Sequence, residues 1–213
     1  MASYEQVLLG VQGLFMASQS IGRKEFSAYC YGLDLPRFYP GMAGLGFAQV
    51  IPANQRIAHT LQTGKEVDQY KLWPEGDREV YSSVVYLEPQ VRSNVLALGY
   101  DMLSEPVRSI AMEQARDNDS AVLSGKVALS MDRMLTDPMP AAMMFVPVYR
   151  NNRPHSTLAD RRENLLGWVY APFRIPEVLS ELLGNSPLID VEVFDGNTLT
   201  AAYADSIEQG DVF

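Results

Sequence analysis

The chain has 213 residues, of which 47% are hydrophobic and 20% are charged, and its formal net charge is −9. This composition is typical of a globular protein and excludes collagen-like and disordered chains. The acidic balance argues against nucleic acid and against anionic membrane surfaces, because both attract basic proteins. The sequence has no run approaching the roughly 18 apolar residues that a membrane-spanning helix needs.

Hydrophobic periodicity and turn residues predict helices mixed with strands along the whole chain. In chain order, the predicted elements are helices over residues 4–21 and 24–33, a strand over 44–51, a helix over 53–64, a strand over 79–87, a helix over 106–116, strands over 121–129, 142–149 and 165–173, a helix over 176–183, and strands over 191–194 and 199–203. Asp195-Gly196 between the last two strands predicts an antiparallel hairpin. The order indicates an α+β fold.

Several local signals refine these elements. The apolar stripe of the first helix predicts packing against the domain itself or against a second copy. Residues Ile57, Ala58 and Leu61 are expected to face inward from the helix over 53–64. Ser104 is expected to cap the helix that Pro106 opens. The polar segment 151–164 is expected to be a loop and a domain boundary.

Pro147 lies inside the strand predicted over residues 142–149. Proline cannot donate a hydrogen bond to a neighbouring strand. We therefore expect this position at a sheet edge or a bulge.

Catalytic signatures are missing from the sequence. It contains no GxSxG, P-loop, GxGxxG or HExxH motif. His59 is predicted at the surface and His155 in a polar loop, and neither has a Cys or His at ligand spacing, so no zinc site is expected. The single cysteine, Cys30, is predicted to be a small buried hydrophobic residue. No cofactor is expected.

Two features suggest a binding pocket. Asp101 stands among apolar residues between a strand and a capped helix, where it serves either as a turn residue or as a buried hydrogen-bond acceptor. The second feature is a methionine-rich stretch, which suits either irregular core packing or an adaptable apolar pocket. Its members are Met131, Met134, Met139, Met143 and Met144.

Seven segments, in order, resemble CHASE domains, the extracytoplasmic sensors of histidine kinases and nucleotide cyclases. They are YPGMAGLGF (39–47), VVYLEP (84–89), LGYDM (98–102), Arg108 with Ala115-Arg116, AVLSG (121–125), FVPVY (145–149) and GWVYAPFR (167–174). The first and last segments look more like bacterial members than like the plant cytokinin receptors.

The resemblance implies a fold and a setting. Residues 1–38 would form a dimerisation stalk, 39–150 a membrane-distal PAS-like ligand-binding subdomain, and 151–213 a membrane-proximal PAS-like subdomain. Two transmembrane helices would flank this extracytoplasmic domain in the receptor, and the domain would dimerise along its first helix. The output domain would be a kinase or a cyclic-dinucleotide enzyme.

The resemblance also implies a ligand site. In plant members the ligand is a cytokinin, an N6-substituted adenine, and the residues matching Asp101 and Leu123 contact it. We expect Asp101 to be the polar anchor here. The expected lining residues are Tyr81, Val85, Leu123, Met144 and Phe145. Plant receptors carry a threonine where this chain has Phe145, so the pocket should differ in shape.

Two other functions stay open at this stage. The domain could be a ligand-free module that dimerises and relays force between membrane helices, in which case the methionines and Phe145 would fill the pocket. It could also be a hydrolase, supported only by its general supply of Ser, His and Asp residues. A sensor with a small-molecule ligand is the favoured reading.

Overall fold

The computed structural model describes residues 2–129, 139–183, 191–196 and 198–203, and these form an α+β fold, as predicted. The helices are α1 (Ala2–Ala17), α2 (Arg23–Gly32), α3 (Leu35–Phe38), α4 (Arg56–Thr63), α5 (Arg92–Val95), α6 (Pro106–Asn118), α7 (Leu158–Asn164) and α8 (Ile175–Leu183). The strands are β1 (Leu45–Pro52), β2 (Val80–Glu88), β3 (Val122–Leu123), β4 (Ala141–Tyr149), β5 (Leu165–Arg174), β6 (Val191–Asp195) and β7 (Thr198–Tyr203).

Five strands form one antiparallel sheet in the order β2-β1-β5-β4-β3, and β6 pairs with β7 as the predicted hairpin. The central position of β5 is set by its pairing with β1 on one side and β4 on the other. The sheet therefore continues across residues 151–164, where a boundary was expected. The division into 39–150 and 151–213 stays a prediction, as do the two PAS-like subdomains.

The two faces of the sheet pack against different helices. On one face α1 and α2 cover the inward side chains of β4 and β5, and Leu8, Val11 and Phe26 are fully buried there. On the other face α6 packs on β4, with Met112 and Trp168 buried between them. Residues 143–146 of β4 alternate between the two cores, as alternation along a strand requires.

The first helix is part of the domain core. It ends at Ala17 rather than at Ile21, and its buried side chains contact the sheet of the same chain. A Cβ added at Gly10 would lie 2.8 Å from the Tyr29 hydroxyl, so glycine permits the close approach of α1 and α2. Among the helices in the described ranges, none is long and apolar enough to cross a bilayer.

Pro147 occupies an edge position, as predicted. It lies in β4 beyond the short partner strand β3, which pairs only with Phe145 and Met144. The Pro147 carbonyl accepts a hydrogen bond of 2.6 Å from Gln12 of α1. The nitrogen of Pro147 lies on the same side of β4 as this carbonyl, where no strand pairs with it. Proline therefore costs no hydrogen bond in the sheet here.

The predicted strand over residues 121–129 is largely wrong. Only Val122–Leu123 forms a strand, followed by a single bridge between Val127 and Ala141. Ser124 turns inward instead and accepts a hydrogen bond from the Met143 amide through its hydroxyl. The Ser124 amide also donates a 2.8 Å hydrogen bond to the Met143 carbonyl, so both the backbone and the side chain of Ser124 bond to β4.

The polar segment 151–164 is not a loop throughout, because α7 occupies its second half. Thr157 and Asp160 form a capping box in which each side chain accepts a hydrogen bond from the other's amide. This reciprocal bonding satisfies two free donors at the start of the helix. The capping-box spacing was present in the sequence and was the missed signal.

Two further predictions about helices are wrong. Ile57 and Leu61 are 76% and 68% exposed, because α4 turns its other side toward β1 and β2. Glu105, not Ser104, caps α6: its carboxylate accepts hydrogen bonds from the amides of Val107 and Arg108. The Ser104 hydroxyl donates to the Asp101 carbonyl instead.

Candidate functional site

A small cavity lies between α6 and the sheet, on the face opposite α1. The described residues enclose about 20 Å³, enough for about one water molecule. Its walls are mainly apolar and come from β2, β4, β5, α6 and the segment before α6. The lining residues are Val84, Leu87, Ala97, Tyr100, Met102, Arg108, Leu129, Met143, Tyr170 and Pro172.

The hydroxyl of Tyr170 is the unusual group in this cavity. The side chain is buried, and its hydroxyl has no hydrogen-bond partner within the described ranges. Gly46 on the neighbouring strand makes room for it, since a Cβ there would lie 2.5 Å from the hydroxyl oxygen. Burial raises the pKa of Tyr170. The hydroxyl is therefore neutral and able to donate or accept one bond.

Arg108 brings a buried positive charge to the same cavity. Its guanidinium bonds the carboxylate of Glu105 at 3.1 Å and the carbonyl of Ala128 at 2.6 Å, and it contacts the sulfur of Met143. It also lies over the Tyr100 ring at 5.5 Å from the centroid. These contacts pair the charge and hold the guanidinium rigidly, which is what a buried arginine requires.

Asp101 is fully buried and bonded to the sheet edge. Its Oδ1 accepts hydrogen bonds from the Ser82 amide at 2.9 Å, from the Ser82 hydroxyl, and from the Leu103 amide. Its Oδ2 lies 3.4 Å from the Arg78 guanidinium and accepts no hydrogen bond from the described part of the chain. Burial raises the pKa of Asp101, against the opposing effects of the Ser82 hydrogen bonds and Arg78.

The Asp101 carboxylate thus combines the two roles that were left open. Oδ1 ties the segment before α6 to β2, as a turn residue would. Oδ2 remains a buried acceptor, and the residues on either side, Tyr100 and Met102, line the cavity. The structure therefore places Asp101 beside the cavity, while its role as a ligand anchor stays a prediction.

The other predicted lining residues do not come together. Phe145 is buried on the α6 face, in the core cluster that surrounds the cavity. Val85 and Met144 are buried on the opposite face, under α1 and α2. Tyr81 packs in a third cluster at the sheet edge, and Leu123 is 46% exposed. Their roles as ligand contacts stay predictions.

The methionines of the methionine-rich stretch do not form one cluster among the described residues. Met131 and Met134 lie outside the described residues. Met143 and Met144 are neighbours in β4, and strand alternation sends them to opposite faces of the sheet. Of the members that the structure describes, Met143 lines the cavity, where its flexible side chain can adapt to different shapes.

The sequence did not single out Tyr170 as a candidate site residue, and it linked Arg108 only to the family resemblance. The alternation of Trp168 and Tyr170 on β5 could have placed the tyrosine on the same face as Phe145. Nothing in the sequence could have shown that its hydroxyl lacks a partner, because this depends on Gly46 of another strand.

The described residues offer little support for hydrolysis. His59 is half-buried, not on the open surface, and its Nε2 lies 2.7 Å from the Tyr70 hydroxyl, which in turn bonds Ser83. Burial lowers the pKa of His59. Ser83 is fully buried, so a substrate carbonyl could not reach its hydroxyl. No group of three or more His, Cys, Asp or Glu residues that could hold a metal occurs in the described ranges.

The cavity is a mostly apolar recess with a few placed polar groups, a composition typical of ligand sites. A model of the CHASE domain family matches residues 19–204. The chain therefore belongs to the CHASE domain family, whose members are extracellular, non-catalytic sensor domains of signalling receptors. No curated protein matches the chain.

Proposed function

We propose that this chain is the extracytoplasmic input domain of a membrane receptor and binds a small organic molecule in the cavity under α6. The observation that carries the proposal is the Tyr170 hydroxyl, buried without a partner in the described residues, on a side chain that lines a mainly apolar cavity. A buried polar group without a partner costs free energy, and a ligand group that bonds it removes the cost.

The unliganded cavity is much smaller than a small-molecule site. At about 20 Å³ it must expand before an organic ligand can enter. Met102 and Met143 supply unbranched side chains that can change rotamer at low cost. We infer that ligand entry displaces these two side chains and brings the ligand against Tyr170 and toward Asp101.

The proposed ligand class follows from the available polar groups. Tyr170 can donate or accept a hydrogen bond, and Oδ2 of Asp101 can accept one from an N–H donor. An N6-substituted adenine carries such donors on a flat ring, so it is the first class to test. Leu123, Tyr81, Val85, Met144 and Phe145 remain the other proposed contacts, with Phe145 on the cavity face.

The proposed signal passes from the cavity through the sheet to α1. The cavity residue Met143 and its neighbour Met144 lie on opposite faces of β4, so a shift of this strand reaches both cores. α1 contacts β4 directly on the far face. We propose that α1 pairs with a second copy in the receptor and that flanking transmembrane helices carry the movement to a kinase or cyclic-dinucleotide output domain.

A thermal-shift screen of the domain with N6-substituted adenines, organic acids and amino acids tests the proposal. A ligand at 100 times its Kd should add about 2.7 kcal/mol to the free energy of unfolding. Ala97→Val narrows the cavity, and Ala171→Val makes the same change in the core on the opposite face. Binding should weaken in the first variant and persist in the second. Equal binding by both variants would show that the ligand sits elsewhere.

The small cavity volume favours one alternative, a module that relays force without a ligand. In that case no ligand in a broad screen would stabilise the domain, and Ala97→Val in the full receptor would leave signalling unchanged.

A further inference from the structure

A second and larger recess lies on the outer part of the sheet. This cleft measures about 460 Å³ and lies between α4 and the strands β1 and β2, with the first residue of α2 at one end. None of the described residues that line it also lines the cavity under α6. The cleft is open to solvent, so a ligand could enter without any rearrangement of the core.

Arg23 supplies a positive charge at this cleft. One terminal nitrogen donates a 2.9 Å hydrogen bond to the Val85 carbonyl, and the guanidinium lies 5.3 Å from the centre of the Tyr86 ring. These two contacts fix the plane of the group. Its Nε is buried and has no hydrogen-bond partner among the described residues, and no ion pair to Arg23 is present among them.

The remaining walls mix polar side chains with apolar ones, and two aromatic rings border the cleft, those of Tyr86 and His59. Gln49 of β1 and Gln62 of α4 can each donate and accept hydrogen bonds. Tyr86 borders the cleft with a ring that also contacts Phe26 and the Arg23 guanidinium. Glu66 stands at the same cleft and adds a negative charge. A multiply charged anion such as phosphate would be repelled by this carboxylate, whereas a single carboxylate on an organic body is tolerated more easily.

We propose that this cleft binds a small organic monocarboxylate, with the carboxylate on the guanidinium of Arg23 and the organic body against Tyr86. A planar, fixed guanidinium matches a carboxylate better than any other side chain, because it offers parallel N–H donors to the two carboxylate oxygens. Such a site would give the domain a second input, independent of the cavity under α6.

Isothermal titration of the domain with benzoate tests the site, with acetate and inorganic phosphate compared at equal ionic strength. Arg23→Lys keeps the charge but removes the planar donor, and Arg37→Lys makes the same change at the exposed guanidinium that lies over Phe38. Ala58→Phe, on the exposed wall from α4, fills the cleft without altering Arg23. Thermal melts would establish that each variant is folded.

We expect one benzoate site, weakened at least about tenfold by Arg23→Lys, lost in Ala58→Phe and kept in Arg37→Lys. Benzoate binding should also survive Ala97→Val, which separates this site from the cavity under α6. Absence of benzoate binding at millimolar concentration would overturn the proposal. So would binding that neither Arg23→Lys nor Ala58→Phe weakens, or phosphate binding as tight as that of benzoate.

Discussion

At the scale of single residues, the two oxygens of the Asp101 carboxylate have different surroundings. Its Oδ1 holds the amide of Ser82 at 2.9 Å, while Oδ2 is a buried acceptor without a hydrogen bond from the described residues. The flanking apolar sequence correctly indicated a special carboxylate. It could not separate the two oxygens, because their partners Ser82 and Arg78 lie about twenty residues away in sequence.

Asp101→Ala should lower the free energy of unfolding by about 2–3 kcal/mol, because the buried Ser82 amide loses its acceptor. Asp101→Asn keeps an oxygen at that position and should cost less. Asp68→Ala, at an exposed aspartate, is the matched control and should stay within about 0.5 kcal/mol of the parent. Urea denaturation of the three variants checks the order, and equal losses for Ala at both positions would contradict it.

Tyr170→Phe should leave the unliganded domain as stable as the parent or up to about 1 kcal/mol more stable, because the lost hydroxyl has no partner among the described residues. Tyr149→Phe removes a hydroxyl that donates a 2.7 Å bond to the Arg116 carbonyl, and it should cost about 1 kcal/mol. Chemical denaturation of this matched pair measures both effects. A larger loss for Tyr170→Phe than for Tyr149→Phe would mean that the Tyr170 hydroxyl is satisfied in solution.

At the scale of elements, apolar periodicity predicted most helices and strands but not their faces. The stripe on α1 was expected to pack on the domain or on a second copy, and its residues are buried in the domain, while Ile57 and Leu61 on α4 point outward. Both patterns look amphipathic in sequence. Which side of a helix becomes buried depends on whether another element covers it, and this is a property of the assembled fold.

Leu8→Ala should lower the free energy of unfolding by about 2–5 kcal/mol, because Leu8 is fully buried between α1 and the sheet. Leu61→Ala makes the same substitution on the exposed side of α4 and should cost less than about 0.5 kcal/mol. Differential scanning calorimetry of the two variants measures the contrast. A small effect at Leu8 would mean that α1 separates from the sheet in solution.

The link between α6 and α7 predicts how stability depends on pH. Asp117 pairs with Arg162 at 2.6 Å and with Arg116, and these arginines lower the pKa of its carboxyl well below the ordinary range. A lowered pKa in the folded state stabilises the protein above the unfolded pKa of about 3.9, and this contribution is lost as the pH falls below it.

Asp117→Asn should therefore cost about 1 kcal/mol at pH 7, a value reduced by solvent screening of this partly exposed pair. The difference in melting temperature between the variant and the parent should narrow steadily as the pH falls below about 4. Melting curves over this pH range, repeated at high salt, check the prediction. A difference that grows on acidification would contradict the assignment.

At the scale of the whole molecule, the resemblance and the structure mark different beginnings. The family match starts at residue 19, yet α1 ends at Ala17 and its side chains fill the core on one face of the sheet. The family match therefore leaves out α1, although the side chains of α1 form part of the hydrophobic core.

A chain of residues 19–213 should lack the stable fold of the full chain, because loss of α1 exposes the apolar faces of β4 and β5. We expect it to aggregate when it is alone. Addition of a separate peptide of residues 1–18 should restore its solubility. Size-exclusion chromatography and circular dichroism compare the two chains. Cooperative melting of 19–213 at the parent temperature would show that α1 is dispensable.

Overall topology was the feature that the sequence predicted least. The strands and the α+β class could be predicted, because each strand carries its own apolar run and turn residues. The order β2-β1-β5-β4-β3 depends on which strands pair, and no local pattern carries that information. The loop expected over 151–164 followed polarity alone, and part of that polarity belongs to the surface of the helix α7.

The central position of β5 has a consequence for biosynthesis. A ribosome releases β1, β2 and β4 well before residues 165–174, and without β5 the strands β1 and β4 have no common neighbour to join them. The growing chain must keep the apolar sides of both halves covered until β5 emerges, a period in which unpaired strand edges are prone to aggregation.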